Sequence, residues 1–192
     1  MSNSTEETIV PTWIAAEGWS APLYIASTPV TFDQYDLFCE KTGARKPGDH
    51  GWGRGARPVI NVNVADAVAY CQWHSNETGT LIRLPEENEW EYAAKGGSKS
   101  MGYEYSGSNV LDEVGWYIDN SLGKTHPVGQ KKANELGIYD MSGNVFEWCG
   151  TSGAFRGGSW GRGNLGCRVS RRYDGRQDER NNSCGFRVLK QG

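Results

Sequence analysis

Long apolar runs are missing from this chain. No stretch approaches the roughly 18 residues a bilayer-crossing helix needs, so no membrane span is expected. The opening residues, MSNSTEETIVPTW, contain neither the basic cluster nor the apolar core of a secretory leader. A reducing cytoplasm is the expected setting, and a particle released by lysis meets the same terms. The five cysteines (39, 71, 149, 167 and 184) are odd in number and lack CxxC spacing, which argues against a disulfide framework or a zinc ribbon. Histidine is scarce too. His74 has no second histidine three or four positions away, so a surface or boundary role is expected of it rather than metal binding. The Gly-rich loop 44–57 contains no GxxxxGK[ST] and follows no apolar strand, so it is not read as a phosphate cradle.

Large aromatics and glycine are abundant. Apolar residues make up only 37% of the chain and mean hydropathy is −0.64, yet eight Trp, nine Tyr and 26 Gly are present. A core of a few aromatics under long loops follows. At 192 residues one domain is expected, over 22–192, after an N-terminal arm over 1–21. Thr31 is placed to cap a helix over 32–41 ending at Gly43. Asn63 is placed to cap a second helix whose apolar positions Val64, Ala67, Val68 and Cys71 share one face, with Gly79 ending it. A third, short helix follows Pro85 and buries Trp90 and Ala94. Strands are expected at 22–27 and 58–62. Between 97 and 155 regular helix is not expected, and aromatic packing or a metal must hold so long a stretch.

The last segment, 155–190, reads as a small β-meander with strands at 155–160, 167–171 and 185–189. Its connections carry Gly, Arg, Asn, Asp, Ser and Tyr. Such residues suit turns and displayed loops, where binding usually resides. Residues 155–192 hold nine Lys and Arg against three acids, so the remainder holds eleven against twenty, a net of −9. A basic end suits an acidic ligand or nucleic acid. The alternative is that Arg156, Arg168, Arg180 and Arg187 are buried or snorkelling partners of the acidic half.

Five phrases are distinctive. They are Arg83-Leu84-Pro85-Glu86-Glu87-Asn88-Glu89-Trp90, then His126-Pro127-Val128-Gly129, then Asn134 to Cys149 (NELGIYDMSGNVFEWC), then Arg156-Gly157-Gly158-Ser159-Trp160, and last Gly185-Phe186-Arg187. In this order they resemble the formylglycine-generating enzyme, or sulfatase-modifying factor, family. The resemblance implies an α+β, C-type-lectin-like fold with two to three short helices, small antiparallel sheets and long irregular loops. It also implies a structural calcium held by Asp140, the carbonyls of Gly143 and Val145, and Glu147, hard oxygen ligands on a tight turn. The alternative is that Asp140 and Glu147 cap turns and pair with arginines. A second family calcium site is not expected, because Gly115 stands where an Asn is usual. The family's copper(I) oxidase chemistry uses two cysteines, at positions held here by Arg162 and Cys167. A guanidinium cannot bind a cation, so copper is not expected.

Within that family the final segment resembles the variable protein of a diversity-generating retroelement, whose Asn-rich template is rewritten at adenines. The frame residues matching that form are Gly157, Gly158, Ser159, Trp160, Cys167, Arg168, Ser170, Arg172, Asp178, Arg180, Gly185, Phe186 and Arg187, in a variable region over 157–187. The rewritten positions would be Gly161, Arg162, Gly163, Gly166, Arg171, Tyr173, Asp174, Gly175, Arg176 and Ser183, with Asn181 and Asn182 unchanged. Each of these is reachable from an AAC or AAT codon by changing adenines alone, whereas Gln177 and Glu179 are not. The resemblance implies a non-enzymatic protein, cytoplasmic or phage-particle-associated, binding a protein or cell-surface ligand. The alternative is a formylglycine-generating-type oxidase with an altered or lost copper site. A nucleic-acid partner is not expected, since no recognised motif accompanies the arginines.

Overall fold

The structure is a computed structural model describing residues 11–191 apart from 17, 20–22, 151 and 152. Residues 1–10 of the expected arm lie outside the described residues. Its later part is no arm: Trp13–Ala15 (β1) pairs antiparallel with Leu23–Ala26 (β2). Helix α1 (Phe32–Thr42) begins where expected. The Thr31 side chain accepts from the Gln34 amide and the Gln34 side chain accepts from Thr31, a reciprocal cap that satisfies two otherwise free N–H groups. Asn63 and Asp66 do the same for α2 (Val64–Thr78). Gly43 and Gly79 close the two helices in the left-handed conformation. The inner faces of α1 and α2 meet through Tyr35, Phe38 and Tyr70, against Phe186.

After α2 come β3 (Ile82–Arg83), α3 (Glu87–Ala94), the one-turn α4 (Leu111–Val114) and β4 (Phe146–Cys149). The basic end contributes β5 (Ala154–Arg156), β6 (Arg172–Asp174), β7 (Cys184–Gly185) and β8 (Leu189–Gln191). Two four-stranded sheets result, ordered β1-β2-β8-β3 and β6-β5-β4-β7. The final segment is therefore not a meander: β7 joins the second sheet, β8 the first. The pairing β4–β7 is parallel, a departure from wholly antiparallel sheets. The middle strand is Arg172–Asp174 rather than 167–171, because Asn164–Cys167 coils into a 3₁₀ turn that draws Cys167 into the interior. The segment 58–62 makes only a single bridge, Thr31 to Pro58, yet it buries Val59, Ile60 and Val62.

His74 is buried, not at a boundary. It packs among Trp13, Tyr70 and Trp73, and its Nδ1 has no hydrogen-bond partner among the described residues.

The long stretch before β4 is held chiefly by buried polar side chains that bond main chain. Asn134 donates to the Ala93 carbonyl and the Ser106 hydroxyl and accepts from the Leu136 and Ile138 amides. Asn144 clasps His126, accepting from its N–H and donating to its carbonyl, both at 3.0 Å. Ser142 Oγ accepts from Ser106, and Asp140 accepts from the Gly129 amide at 2.7 Å. Apart from the Asn134–Ser106 hydroxyl contact, each bond satisfies a main-chain group that a ladder would otherwise serve.

Candidate ligand-binding face

Of the frame residues, Gly157, Gly158, Ser159, Cys167, Gly185, Phe186 and Arg187 lie inside, Trp160 and Arg168 are half-buried, and Ser170, Arg172, Asp178 and Arg180 are exposed. Gly157 and Gly158 have φ of +90° and +75°, and a Cβ on Gly158 would lie 2.6 Å from Cys167 Sγ. Arg187 supplies the central polar contact. Its Nε and Nη2 donate to the two Glu147 oxygens at 2.6 and 2.7 Å, and its other donors reach the Ala26 and Tyr139 carbonyls. Trp90 Nε1 donates to the same carboxylate at 2.7 Å, so every strong donor in this dry cluster is matched.

None of the twelve positions assigned to rewriting is buried. Arg162, Gly163, Arg171, Asp174 and Arg176 are exposed, while Gly161, Gly166, Tyr173, Gly175, Asn181, Asn182 and Ser183 are half-buried. Their backbone is fixed largely by main-chain atoms. The carbonyls of Arg162, Asn181, Asn182 and Ser183 accept from Ile118 N, Asn61 N, Trp160 Nε1 and Phe146 N at 2.8 to 3.1 Å, and Gly175 N donates to the Gly153 carbonyl. These are main-chain atoms, so the course of the loops depends little on the side chains they carry.

Three positions are coupled to the interior: Tyr173, Gly175 and Arg162, whose guanidinium lies 5.3 Å from the centre of the buried Phe146 ring. The Tyr173 ring lies 5.9 Å from Phe155, nearly parallel, and 5.0 Å from Phe146 at a steep angle. A Cβ on Gly175 would collide with the Phe155 ring, whereas Gly161 and Gly163 face open space.

The arginines divide. Arg156, Arg168, Arg180 and Arg187 each pair with a carboxylate from the acidic part of the chain: Glu87 and Glu91, Glu104, Asp66 and Glu147. Arg172 and Arg176 pair with Glu87 and Asp178. Among the described residues Arg162 and Arg171 have no carboxylate partner, and both guanidinium groups lie near the Tyr173 ring, at 5.5 and 5.2 Å.

Two hollows open on this face. One, of ≈ 530 Å³, is lined by Ile118, Asp119, Arg162, Leu165 and Tyr173 among others. The other, of ≈ 420 Å³, is lined by Leu165, Arg168, Ser170, Arg171 and Tyr173. Ile118, Asp119 and Leu165 are outside the expected set. An aliphatic residue stranded in a polar, Gly-rich loop was the available signal for Leu165, while Ile118 reaches the face only through the fold.

The residues proposed for calcium do not fit the ion. Both Glu147 oxygens already accept from Arg187, whose positive charge opposes a cation at the same carboxylate. Asp140 is engaged by Gly129 and lies 3.4 Å from Asn144 Nδ2, and burial raises its carboxyl to about 6. No group of three or more His, Cys, Asp and Glu among the described residues is arranged to hold a metal. The pairing of Glu147 with an arginine, the alternative reading of the sequence, is what the fold contains. Nor does the copper position offer a soft ligand pair. Arg162 replaces one sulfur, and burial pushes the Cys167 thiol up to about 12, far from a thiolate at neutral pH.

A family model described as "Sulfatase-modifying factor enzyme 1-like domain" matches residues 5–192. The chain belongs to the sulfatase-modifying factor family. Inactive C-alpha-formylglycine-generating enzyme 2 of Bos taurus is 30% identical over 174 residues, covering 77% of this chain and 56% of the relative. Formylglycine-generating enzyme of Mycobacterium tuberculosis is 39% identical over 109 residues, covering 51% of this chain and 34% of that one. The chain therefore spans only a third to just over half of these curated relatives. The family includes members named as enzymes and members named as inactive. Among solved structures, Treponema denticola variable protein 1 superposes with a TM-score of 0.77 at 26% identity, covering 96% of this chain and 93% of that one. The C-type-lectin-like fold of the formylglycine-generating type and the likeness to a variable protein thus stand. No helix among the described residues is long and apolar enough to cross a membrane.

Proposed function

We propose that this member of the family is a non-enzymatic ligand-binding protein whose displayed surface, over 161–166 and 171–183, is diversified by a retroelement and binds a protein or cell-surface ligand. The observation that carries this reading is the split between frame and display. Seven frame residues, at 157–159, 167 and 185–187, are buried, whereas none of the twelve variable positions is, and these sit on loops held largely by main-chain bonds. Such a surface changes without altering what specifies the fold. Tyr173 and the arginines supply large contact area with polar tips, the side chains that most often anchor interfaces.

The test is a triple substitution, Arg162→Asn, Asp174→Asn and Arg176→Asn, followed by urea unfolding. Asp174 and Arg176 make only solvent-exposed ion pairs and Arg162 a cation–π contact with Phe146 and Tyr173, interactions worth little each, so the domain should stay folded with a small shift of midpoint. Tyr173→Asn is expected to cost more, about 1 to 2 kcal/mol, because its ring packs on Phe155 and Phe146. Glu147→Gln should cost about 3 to 5 kcal/mol by stranding the buried Arg187. An unfolded triple variant would refute the division between frame and display. The oxidase alternative rests on the active relatives. Copper-dependent conversion of a Cys-x-Pro-x-Arg peptide, abolished by Cys167→Ser, would overturn the non-enzymatic reading in its favour.

A further inference from the structure

Building on that reading of the face, we propose that its ligand is a protein segment presenting a carboxylate beside a large apolar side chain. The carboxylate goes to Arg171, and the apolar group to the hollow walled by the non-rewritten residues Ile118 and Leu165.

Charge and apolar exposure point to separate halves of the face. Ile118 and Leu165 are 57% and 68% exposed and line one hollow. Large exposed aliphatics converging on a concave surface mark interaction sites, whereas isolated ones do not. The adjoining hollow, sharing Leu165, Gly166 and Tyr173 with the first, has no acidic residue in its lining and contains Arg168 and Arg171. Arg168 is already paired with Glu104 at 3.1 Å, so Arg171 is the guanidinium free to take a partner there. It is exposed and 5.2 Å from the Tyr173 ring centroid, an arrangement that steadies the planar fork for two-point hydrogen bonding to a carboxylate. The first hollow carries both Asp119 and Arg162 and so is balanced in charge, whereas the second carries positive charge alone, which draws the carboxylate to the second and leaves the first to the apolar group. Since the chain as a whole is −3, an acidic ligand is drawn by this patch and not by net charge. A protein segment is favoured over nucleic acid because the apolar walls are aliphatic rather than a row of stacking rings.

The test selects a phage-displayed library of random linear peptides on the full chain, then measures selected peptides by titration against the chain and its variants. The expected pool is enriched in Asp or Glu within a few positions of Leu, Ile, Phe or Trp. Arg171→Asn weakens the selected peptides about tenfold or more, as expected for a lost charge-assisted pair. Arg171→Glu, selected afresh, turns the enrichment from acidic to basic residues. Ile118→Ser with Leu165→Ser removes the apolar enrichment and keeps the acidic one. Thermal melts of each variant verify folding, and Arg171→Asn, at an exposed position, carries the test if the Ser pair unfolds. Peptides lost on Tyr173→Asn yet showing no acidic enrichment would overturn the carboxylate assignment while leaving the ligand-binding face intact. Peptides indifferent to every face variant, or no enrichment at all, would overturn both. Oligothymidylate bound more tightly than any selected peptide would overturn the protein-segment assignment in favour of a nucleic acid.

Discussion

At the scale of single residues, the instructive cases are polar groups that the interior had to accommodate. His74 lies on α2 beside Trp13, Tyr70 and Trp73, with an unpartnered Nδ1. Burial lowers its pKa below the ordinary 6.5, with Glu77 opposing. The sign follows from proton uptake: below 6.5 the unfolded chain takes the proton first, so stability is full above that pH and falls as pH drops toward the folded value. His74→Phe should remove this acid-side loss. In urea melts at pH 8 and pH 5 the variant's advantage should grow toward the acid side. An equal effect at both pH values would sink the account. The sequence indicated that His74 lies on a helix without a companion ligand, but its burial depended on Trp13 and Trp73 closing over it, contacts no local pattern records. The pairing of Arg156, Arg168, Arg180 and Arg187 with the acidic half was one of two readings open in the sequence, and the fold selects it.

At the scale of elements, helices were legible and strands much less so. The caps of α1 and α2 are local chemistry: Thr31 with Gln34, Asn63 with Asp66, Gly43 and Gly79 in the left-handed conformation. The strands here are two to four residues long, too short for alternation to fix their register. That is why 167–171 reads as a strand in the sequence while the ladder forms at Arg172–Asp174, after Cys167 has been drawn inside. The stretch 97–145 depends on buried amides instead of ladders. Asn144→Ala should therefore cost about 1 to 2 kcal/mol, since it removes the partners of both the N–H and the C=O of the half-buried His126. Hydrogen exchange should quicken at His126 and Gly129 before it does in α1 or α2. Uniform quickening across the chain would contradict the role given to this side chain.

At the scale of the whole molecule, charge separation has become architecture. Acidic α3 receives Arg156 and Arg172 through Glu87, and Arg156 also through Glu91, while Glu147 of β4 receives Arg187. The two ends of the chain are joined by β2 pairing with β8. We expect the fold to stand without calcium, since side chains hold the long loops and both Glu147 oxygens accept from Arg187. Millimolar calcium or excess chelator should shift the melting temperature by less than about 1 °C, whereas a site that bound the native state tightly would stabilise it by several kcal/mol. A clear upward shift with calcium would restore the ion to Asp140, Gly143, Val145 and Glu147 and require Arg187 to give way.

By itself, the chain's order of residues determined the two capped helices, the inward Trp90 and Ala94, and the family, because each is written in local spacing or in ordered phrases. Tertiary structure alone decided that Glu147 meets Arg187 instead of an ion, that Tyr173 and Gly175 answer to Phe155, and that Ile118 joins Leu165 at one hollow. Those outcomes turn on which distant groups compete for the same few ångströms, and low-dielectric burial makes an unmatched charge there too costly for more than one arrangement to survive.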